Sequence, residues 1–63
     1  MTRQEIERKA NKLASQVIPA DVLDSFIALP LESKLTGIAL FAKAGGDDRM
    51  MNAAIAAYNS LSN

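Results

Sequence analysis

Apolar positions are densest in the stretch Leu31–Ala44, where residues 38–42 form an unbroken apolar run. A helix with one solvent-facing side needs only about three or four apolar residues in every two turns. A helix that is apolar nearly all round must be covered on more than one side. We therefore expect a central helix at 31–44, with neighbours packed against two of its faces.

A first helix is predicted from a capping box and a single apolar stripe. Thr2 and Glu5 have the spacing of a capping box, so the helix should begin at about Arg3. Pro19 disfavours helical geometry at the residue before it, so the helix should end near Val17. Apolar residues spaced i, i+4, i+7, i+8 and i+11 fall on one helical face; they are Ile6, Ala10, Leu13, Ala14 and Val17.

Proline and glycine divide the rest of the chain. The segment 20–29 is predicted either as a short second helix or as a kinked continuation of the first. The central helix should stop at Gly45-Gly46, with the first glycine suited to the left-handed position past the helix end. Asp47 is a good N-cap for a last helix over about 48–60. No strand is predicted, because apolar alternation is absent and β-branched residues are few.

These elements predict one all-α domain, a small bundle of three principal helices and a short one around the 31–44 helix. A chain of 63 residues has no room for a second domain. Gly37 lies in mid-helix, where glycine costs up to about 1 kcal/mol. It is either a tolerated defect or a point where another backbone or ring approaches closely. The predicted core is Ile6, Leu13, Val17, Val22, Phe26, Leu35, Ile38, Ala42, Ile55 and Tyr58.

Charge gives only a weak indication of a partner. Seven basic and seven acidic side chains cancel, so the balance does not favour nucleic acid or an anionic membrane. The first helix is nevertheless basic and could line a DNA groove, as an alternative to being a solvated face; the candidate contacts are Arg3, Arg8, Lys9 and Lys12. A helix-turn-helix around Gly46 is disfavoured, because Asp47 and Asp48 would meet phosphate.

The composition argues against an enzyme. The chain has no cysteine and no histidine, which removes the thiolate metal site and the commonest general base. Asp47-Asp48 lacks the further oxygen ligands that a calcium loop requires. We predict no catalytic residue, cofactor, metal or small-molecule substrate. The apolar runs are too short for a membrane span, and we expect a cytoplasmic protein.

Apolar content exceeds what so short a chain can bury. Hydrophobic residues make up 49% of the sequence, while a 60-residue domain buries only about 60% of its unfolded surface. Without cysteines or a metal, oligomerisation is the reinforcement left to a small domain. We predict a protein–protein interaction module that self-associates as a homodimer, with a different protein as the alternative partner. The predicted interface is Leu40, Met50, Met51, Ala54, Ala57 and Leu61.

Three features of the sequence suggest a family: the start Met1-Thr-Arg-Gln-Glu5, the length of 63 residues, and the compact helical sequence from Ile18-Pro-Ala-Asp-Val22 through Ala44-Gly-Gly-Asp47. The chain resembles the small, early-expressed accessory proteins of temperate bacteriophages. It is similar to those encoded between the recombination and excision genes of lambda-like phages. The resemblance implies a non-enzymatic protein that acts on phage development or host physiology through partners in the host-cell cytoplasm. It carries over no functional residue.

Overall fold

Four α-helices make up the fold. The computed structural model describes residues 2–62, which contain α1 (Arg3–Val17), α2 (Ala20–Ile27), α3 (Leu31–Ala44) and α4 (Asp48–Ser60) and no strand. The all-α prediction is confirmed, and three of the four helices have the expected bounds. Helix α2 ends two residues earlier than expected, at Ile27. Pro30 disfavours helical geometry at Leu29, whose N–H instead donates to the Phe26 carbonyl at 3.1 Å in a tight turn.

The starts of α1 and α4 are held by the predicted capping side chains. At α1 the Glu5 N–H donates to Thr2 Oγ1 at 3.2 Å, and the Thr2 N–H donates to Glu5 Oε1 at 3.3 Å. Hydrogen bonds from Thr2 lower the pKa of Glu5, because they stabilise the ionised carboxylate. At α4 the Met50 N–H donates to Asp47 Oδ1 at 3.0 Å. Both caps satisfy amides that would otherwise lack an intrahelical partner.

The boundary between α1 and α2 is a true break. Ile18 has extended backbone geometry, with φ −92° and ψ 133°, and Pro19 follows with ψ 141°. The first two helices are therefore separate, which decides between the alternatives that the sequence left open. Ile18 is only 5% exposed and joins the core, a role that the stripe analysis missed.

The end of α3 is a Schellman motif built on the second glycine. Gly45 remains in the right-handed region with φ −85°, and Gly46 takes the left-handed conformation with φ 77°. The Gly46 N–H donates to the Lys43 carbonyl at 3.1 Å, and the Asp47 N–H donates to the Ala42 carbonyl at 2.8 Å. The expectation that the first glycine is left-handed is wrong, because Gly45 is the C-cap and keeps right-handed geometry, and the chain reverses at Gly46.

Helix α3 lies between α1 and α4, which confirms the predicted central position. Of the predicted core, Ile6, Leu35, Ile38 and Ala42 are buried. Leu13, Val17 and Phe26 are half-buried and pack against the core. The complete set of buried apolar residues is Ile6, Ala10, Ala14, Ile18, Leu31, Leu35, Ile38, Ala42, Ala54 and Ala57.

Three predicted core residues are exposed. Val22, Ile55 and Tyr58 lie between 41% and 46% exposed. Val22 lies outside the core because the short α2 packs inward through Leu23 and Phe26 instead.

The exposure of Ile55 and Tyr58 follows from the rotation of α4 about its axis. This helix carries two adjacent apolar stripes, and the one with Ala54 and Ala57 is buried. Small side chains allow the backbone of α4 to approach α3 closely, which leaves the larger residues of the other stripe at the edge of the contact.

Gly37 marks the contact between α2 and α3. A Cβ built on Gly37 would lie 2.7 Å from Cε1 and 2.9 Å from Cζ of the Phe26 ring. The ring therefore occupies the space that any side chain at this position would need. The interpretation of Gly37 as a point of close approach is confirmed.

One charged side chain lies within the core. Lys34 on α3 is 2% exposed, and its Nζ donates to Asn11 Oδ1 of α1 at 2.7 Å. Its Nζ also lies 2.8 Å from Glu7 Oε2. That approach is off the hydrogen-bonding direction, so the contact with Glu7 is an ion pair only. The polar head of Lys34 thus ties α1 to α3, while its methylene chain fills core volume.

Candidate protein interface

An apolar groove runs between α3 and α4. It has a volume of about 240 Å³ and we call it the α3–α4 groove. Its lining contains no charged side chain, and polar groups enter only through the hydroxyls of Thr36 and Tyr58. The lining residues are Leu35, Thr36, Ala39, Leu40, Ala54, Ile55 and Tyr58.

Three large side chains stand at the edge of the groove, which we call the groove rim. Leu40 is 62% exposed, Ile55 is 43% exposed and Tyr58 is 41% exposed. Leu40 is the most exposed large hydrophobic residue of residues 2–62. An apolar concave surface flanked by exposed apolar side chains is typical of a site that another molecule covers.

The surface continues from the groove onto the outer side of α3. A second hollow shares Thr36, Leu40 and Tyr58 with the groove and extends to Glu32, Ser33 and Gly37. Ser33 has a small side chain, so the surface of α3 is low there, whereas the Phe26 ring fills the space beside Gly37. A partner can therefore approach α3 at Ser33.

The residues predicted to form an interface occupy three different environments. Leu40 is exposed at the groove rim, while Met50, Met51 and Leu61 are half-buried. Ala54 is 0% exposed and Ala57 is 3% exposed, because both lie in the contact of α4 with the core. The assignment of these two alanines to an interface with another chain is corrected.

Two of the rim residues were missed as surface groups because they were assigned to the core. Ile55 and Tyr58 form a stripe with helical spacing on α4, which is equally the pattern of a core face. The signal that distinguishes the two stripes is side-chain size. The stripe with paired alanines allows close packing, and the stripe with Ile55 and Tyr58 lies outside it.

The groove is flanked at one end by an ion pair between α1 and α3. Arg3 Nη2 lies 2.9 Å from Glu32 Oε1, and Nη1 donates to Oε2 at 3.4 Å. The hydrogen bond from Arg3 is the main reason that the pKa of Glu32 is lowered, and the charge of Arg3 adds to it. Any stability that this pair contributes is present at neutral pH and is lost as pH falls through the lowered pKa.

The four basic residues predicted as nucleic-acid contacts do not act as one patch. Arg3 is engaged with Glu32, whereas Arg8, Lys9 and Lys12 are exposed on the outer side of α1. Within residues 2–62 the ion pairs are Arg3–Glu32 and Lys34–Glu7, so these three cations have no ion-pair partner there. We call Arg8, Lys9 and Lys12 the basic face.

Within the described part of the chain, no group of three or more acidic side chains is arranged to hold a metal ion. None of the four helices has the length and apolar character that crossing a bilayer requires. Two surface features of the described residues can contact another molecule: the α3–α4 groove with its rim, and the basic face of α1.

No protein-family model, curated protein or solved structure matches this chain.

Proposed function

We propose that this protein is a non-enzymatic helical interaction module that self-associates as a homodimer through the α3–α4 groove and its rim. The observation that carries the proposal is the 62% exposure of Leu40 beside a groove without charged lining. Burying a leucine side chain that is otherwise exposed contributes about 1.5–3 kcal/mol. A partner that covers Leu40, Ile55 and Tyr58 together gains this kind of stabilisation from all three.

The size of the chain favours a second copy as the partner. The 6.8 kDa chain exposes 4136 Å², and an unfolded chain of this mass exposes roughly 9,900 Å². Folding alone thus buries a little under 60% of the surface, as expected for a marginally stable domain. A symmetric dimer uses the same patch twice, so it extends the buried core without a longer chain.

The resemblance to phage accessory proteins fits such a module. Proteins of that kind act through partners, and the apolar α3–α4 groove is a surface on which a partner can dock. We place the protein in the cytoplasm of the host cell. A phage or host protein on the same groove is the alternative to a second copy.

The wild-type chain is expected to sediment with a mass near twice 6.8 kDa at micromolar concentration. Its melting temperature is expected to rise with protein concentration, because dissociation accompanies unfolding. Leu40→Glu should shift the population to monomer, since a charge at the rim has to be desolvated in the dimer. Sedimentation equilibrium and thermal melts followed by circular dichroism provide both measurements.

Leu29→Glu is the matched control for Leu40→Glu. Leu29 is 43% exposed in the turn after α2 and does not line the groove. Its replacement should leave the dimer intact if the interface is the groove. A wild-type chain at monomer mass, with a melting temperature independent of concentration, would contradict self-association.

The basic face supports a second candidate function, which is DNA binding. Arg8, Lys9 and Lys12 are exposed on one helix without an ion-pair partner among residues 2–62. Cations of this kind bind phosphate, and their contribution falls steeply with salt. Because the chain has no net charge, this attraction is local to α1 and is opposed by the acidic remainder.

Affinity for duplex DNA at two salt concentrations tests this candidate. If the basic face binds phosphate, a tenfold rise in salt should weaken binding by about five-hundredfold for three phosphate contacts. The triple substitution of Arg8, Lys9 and Lys12 by alanine should abolish binding at low salt. The DNA affinity of an Arg3→Ala variant serves as the comparison, because Arg3 is paired with Glu32. Binding that survives the triple substitution rules out this function for α1.

A further inference from the structure

The ends of one side of α3 carry opposite charges. Glu32 and Lys43 are eleven residues apart on the same helix. Eleven residues make about three turns, so the two side chains project from nearly the same side, roughly 16 Å apart along the axis. Both residues are exposed, and Glu32 also lines the hollow beside Leu40.

This arrangement is self-complementary only for antiparallel packing. Two copies of α3 placed parallel would bring like charges together at both ends. A two-fold axis perpendicular to α3 instead brings Lys43 of each copy opposite Glu32 of the other. Such an isologous contact forms two identical pairs from one patch.

The same register places Leu40 against the groove. When Lys43 faces residue 32 of the other copy, Leu40 lies level with residues 35 and 36 of that copy. Leu35 and Thr36 both line the α3–α4 groove, beside Ile55 and Tyr58. The register that pairs the charges is therefore also the one that brings the most exposed apolar side chain to the apolar groove.

Glu32 can serve both contacts. Its side chain keeps 50% of its surface exposed while paired with Arg3. A carboxylate has two oxygens and roughly four acceptor positions, so it can accept from Arg3 and from a second cation. Lys43 has no ion-pair partner within residues 2–62.

The area required is within reach of this surface. A specific interface buries at least about 1,000 Å² in total, or roughly 500 Å² from each subunit. That is about an eighth of the 4136 Å² that the chain exposes.

We infer that the occupant of the α3–α4 groove is a second copy of this chain, packed antiparallel along α3, with Lys43 of each subunit paired to Glu32 of the partner subunit. This inference rests on the proposed function, since it specifies the geometry of the proposed homodimer. It predicts that dimer formation depends on the signs of the charges at residues 32 and 43.

Charge exchange tests the register. Glu32→Lys alone places lysine at both ends of the face, and Lys43→Glu alone places glutamate at both ends. Each variant is expected to dissociate at least fivefold more readily than the wild type at low salt. An equimolar mixture of the two variants should recover dimer mass in sedimentation equilibrium, because each subunit then meets the opposite charge. The double variant Glu32→Lys with Lys43→Glu should also recover the dimer.

Two controls separate the charge effect from damage to the fold. Arg3→Gln removes the pair within the chain but keeps Glu32 for the partner subunit, so it should leave dimerisation within twofold of wild type. Circular dichroism should show the same helix content in every variant. Added salt should narrow the difference between each single variant and the mixture, since exposed pairs are screened.

The outcomes distinguish this inference from the proposed function. A wild-type dimer that is insensitive to both single variants, or a mixture that remains monomeric, overturns the antiparallel register and leaves self-association standing. A wild-type monomer at every concentration overturns both. A wild-type chain that stays monomeric alone but binds a different protein through Leu40 assigns the groove to that protein.

Discussion

Replacing Lys34 with alanine is expected to lower the free energy of unfolding by about 2–3 kcal/mol, near the low end of large-to-small core substitutions. Replacing it with methionine is expected to change that free energy by less than about 1 kcal/mol. Lys34 is 2% exposed, so its methylene chain is part of the packed core between α1 and α3. Alanine leaves a cavity there, and methionine fills most of the same volume.

The ammonium group of Lys34 is expected to contribute less to the free energy of unfolding than its methylene chain does. Desolvation of a buried charge offsets much of its attraction to a partner. Here the partner Glu7 keeps 46% of its side chain exposed, so water can solvate it once the lysine is gone. Asn11 is half-buried and can also reach solvent. Glu7 Oε2 is itself buried beside Lys34, but 46% of the Glu7 side chain is exposed, so the carboxylate can turn toward water when methionine removes the charge.

Urea unfolding followed by circular dichroism measures these differences. Lys9→Ala on α1 is the matched control, because Lys9 is exposed, lies outside the α3–α4 groove and its loss should change the free energy of unfolding by less than about 0.5 kcal/mol. A small domain has only about 3–5 kcal/mol of stability. Lys34→Ala should therefore begin to unfold at a lower urea concentration, which shortens the folded baseline of the unfolding curve. Equal losses for methionine and alanine would instead assign the stabilisation to the ion pair and hydrogen bond.

The helix bounds could be predicted because local chemistry determines them. The capping box of Thr2 and Glu5, the prolines at 19 and 30, and the Asp47 cap each act within a few residues. Such signals do not depend on the rest of the fold. The bounds of α1, α3 and α4 agree with the expectation for this reason.

The rotation of α4 could not be predicted in the same way. Both of its stripes are apolar, and periodicity does not rank one above the other. The choice depends on the tertiary contact of Ala54 and Ala57 with the core formed by α1 and α3, which no local pattern within α4 specifies. The candidate site was consequently predicted at Leu40, which lies between Thr36 and Lys43 on the polar side of α3, whereas Ile55 and Tyr58 were predicted as core residues.

The burial of Lys34 could not be predicted from the spacing of apolar residues either, because it also depends on contacts between helices. A lysine between apolar positions is usually exposed, because its charge is costly to bury. Its partners Asn11 and Glu7 belong to another helix, 23 residues or more earlier in the chain. Only the packing of α1 across α3 brings the three together.

Replacing Gly37 with alanine is expected to lower the free energy of unfolding by about 1 kcal/mol, although alanine is the better helix former. The gain in helix propensity is about 1 kcal/mol. Against it, the new Cβ would lie 2.7 Å from the Phe26 ring, and overpacking of this kind costs about 1–3 kcal/mol. The ring must move for the variant to fold, which weakens the attachment of α2 to α3.

A double-mutant cycle with Phe26→Leu isolates that contact. Leucine lacks the ring atoms that would meet the new Cβ. The double variant should therefore lose at least about 1 kcal/mol less free energy of unfolding than the sum of the two single losses. Gly45→Ala is the matched control, because its Cβ would make only ordinary contacts at 3.5 Å and its φ of −85° suits alanine. That control should be neutral or stabilising by about 0.5 kcal/mol. If Gly37→Ala stabilises the protein as much as Gly45→Ala does, the Phe26 ring yields without loss, and α2 is held to the bundle by its contacts with α1 instead.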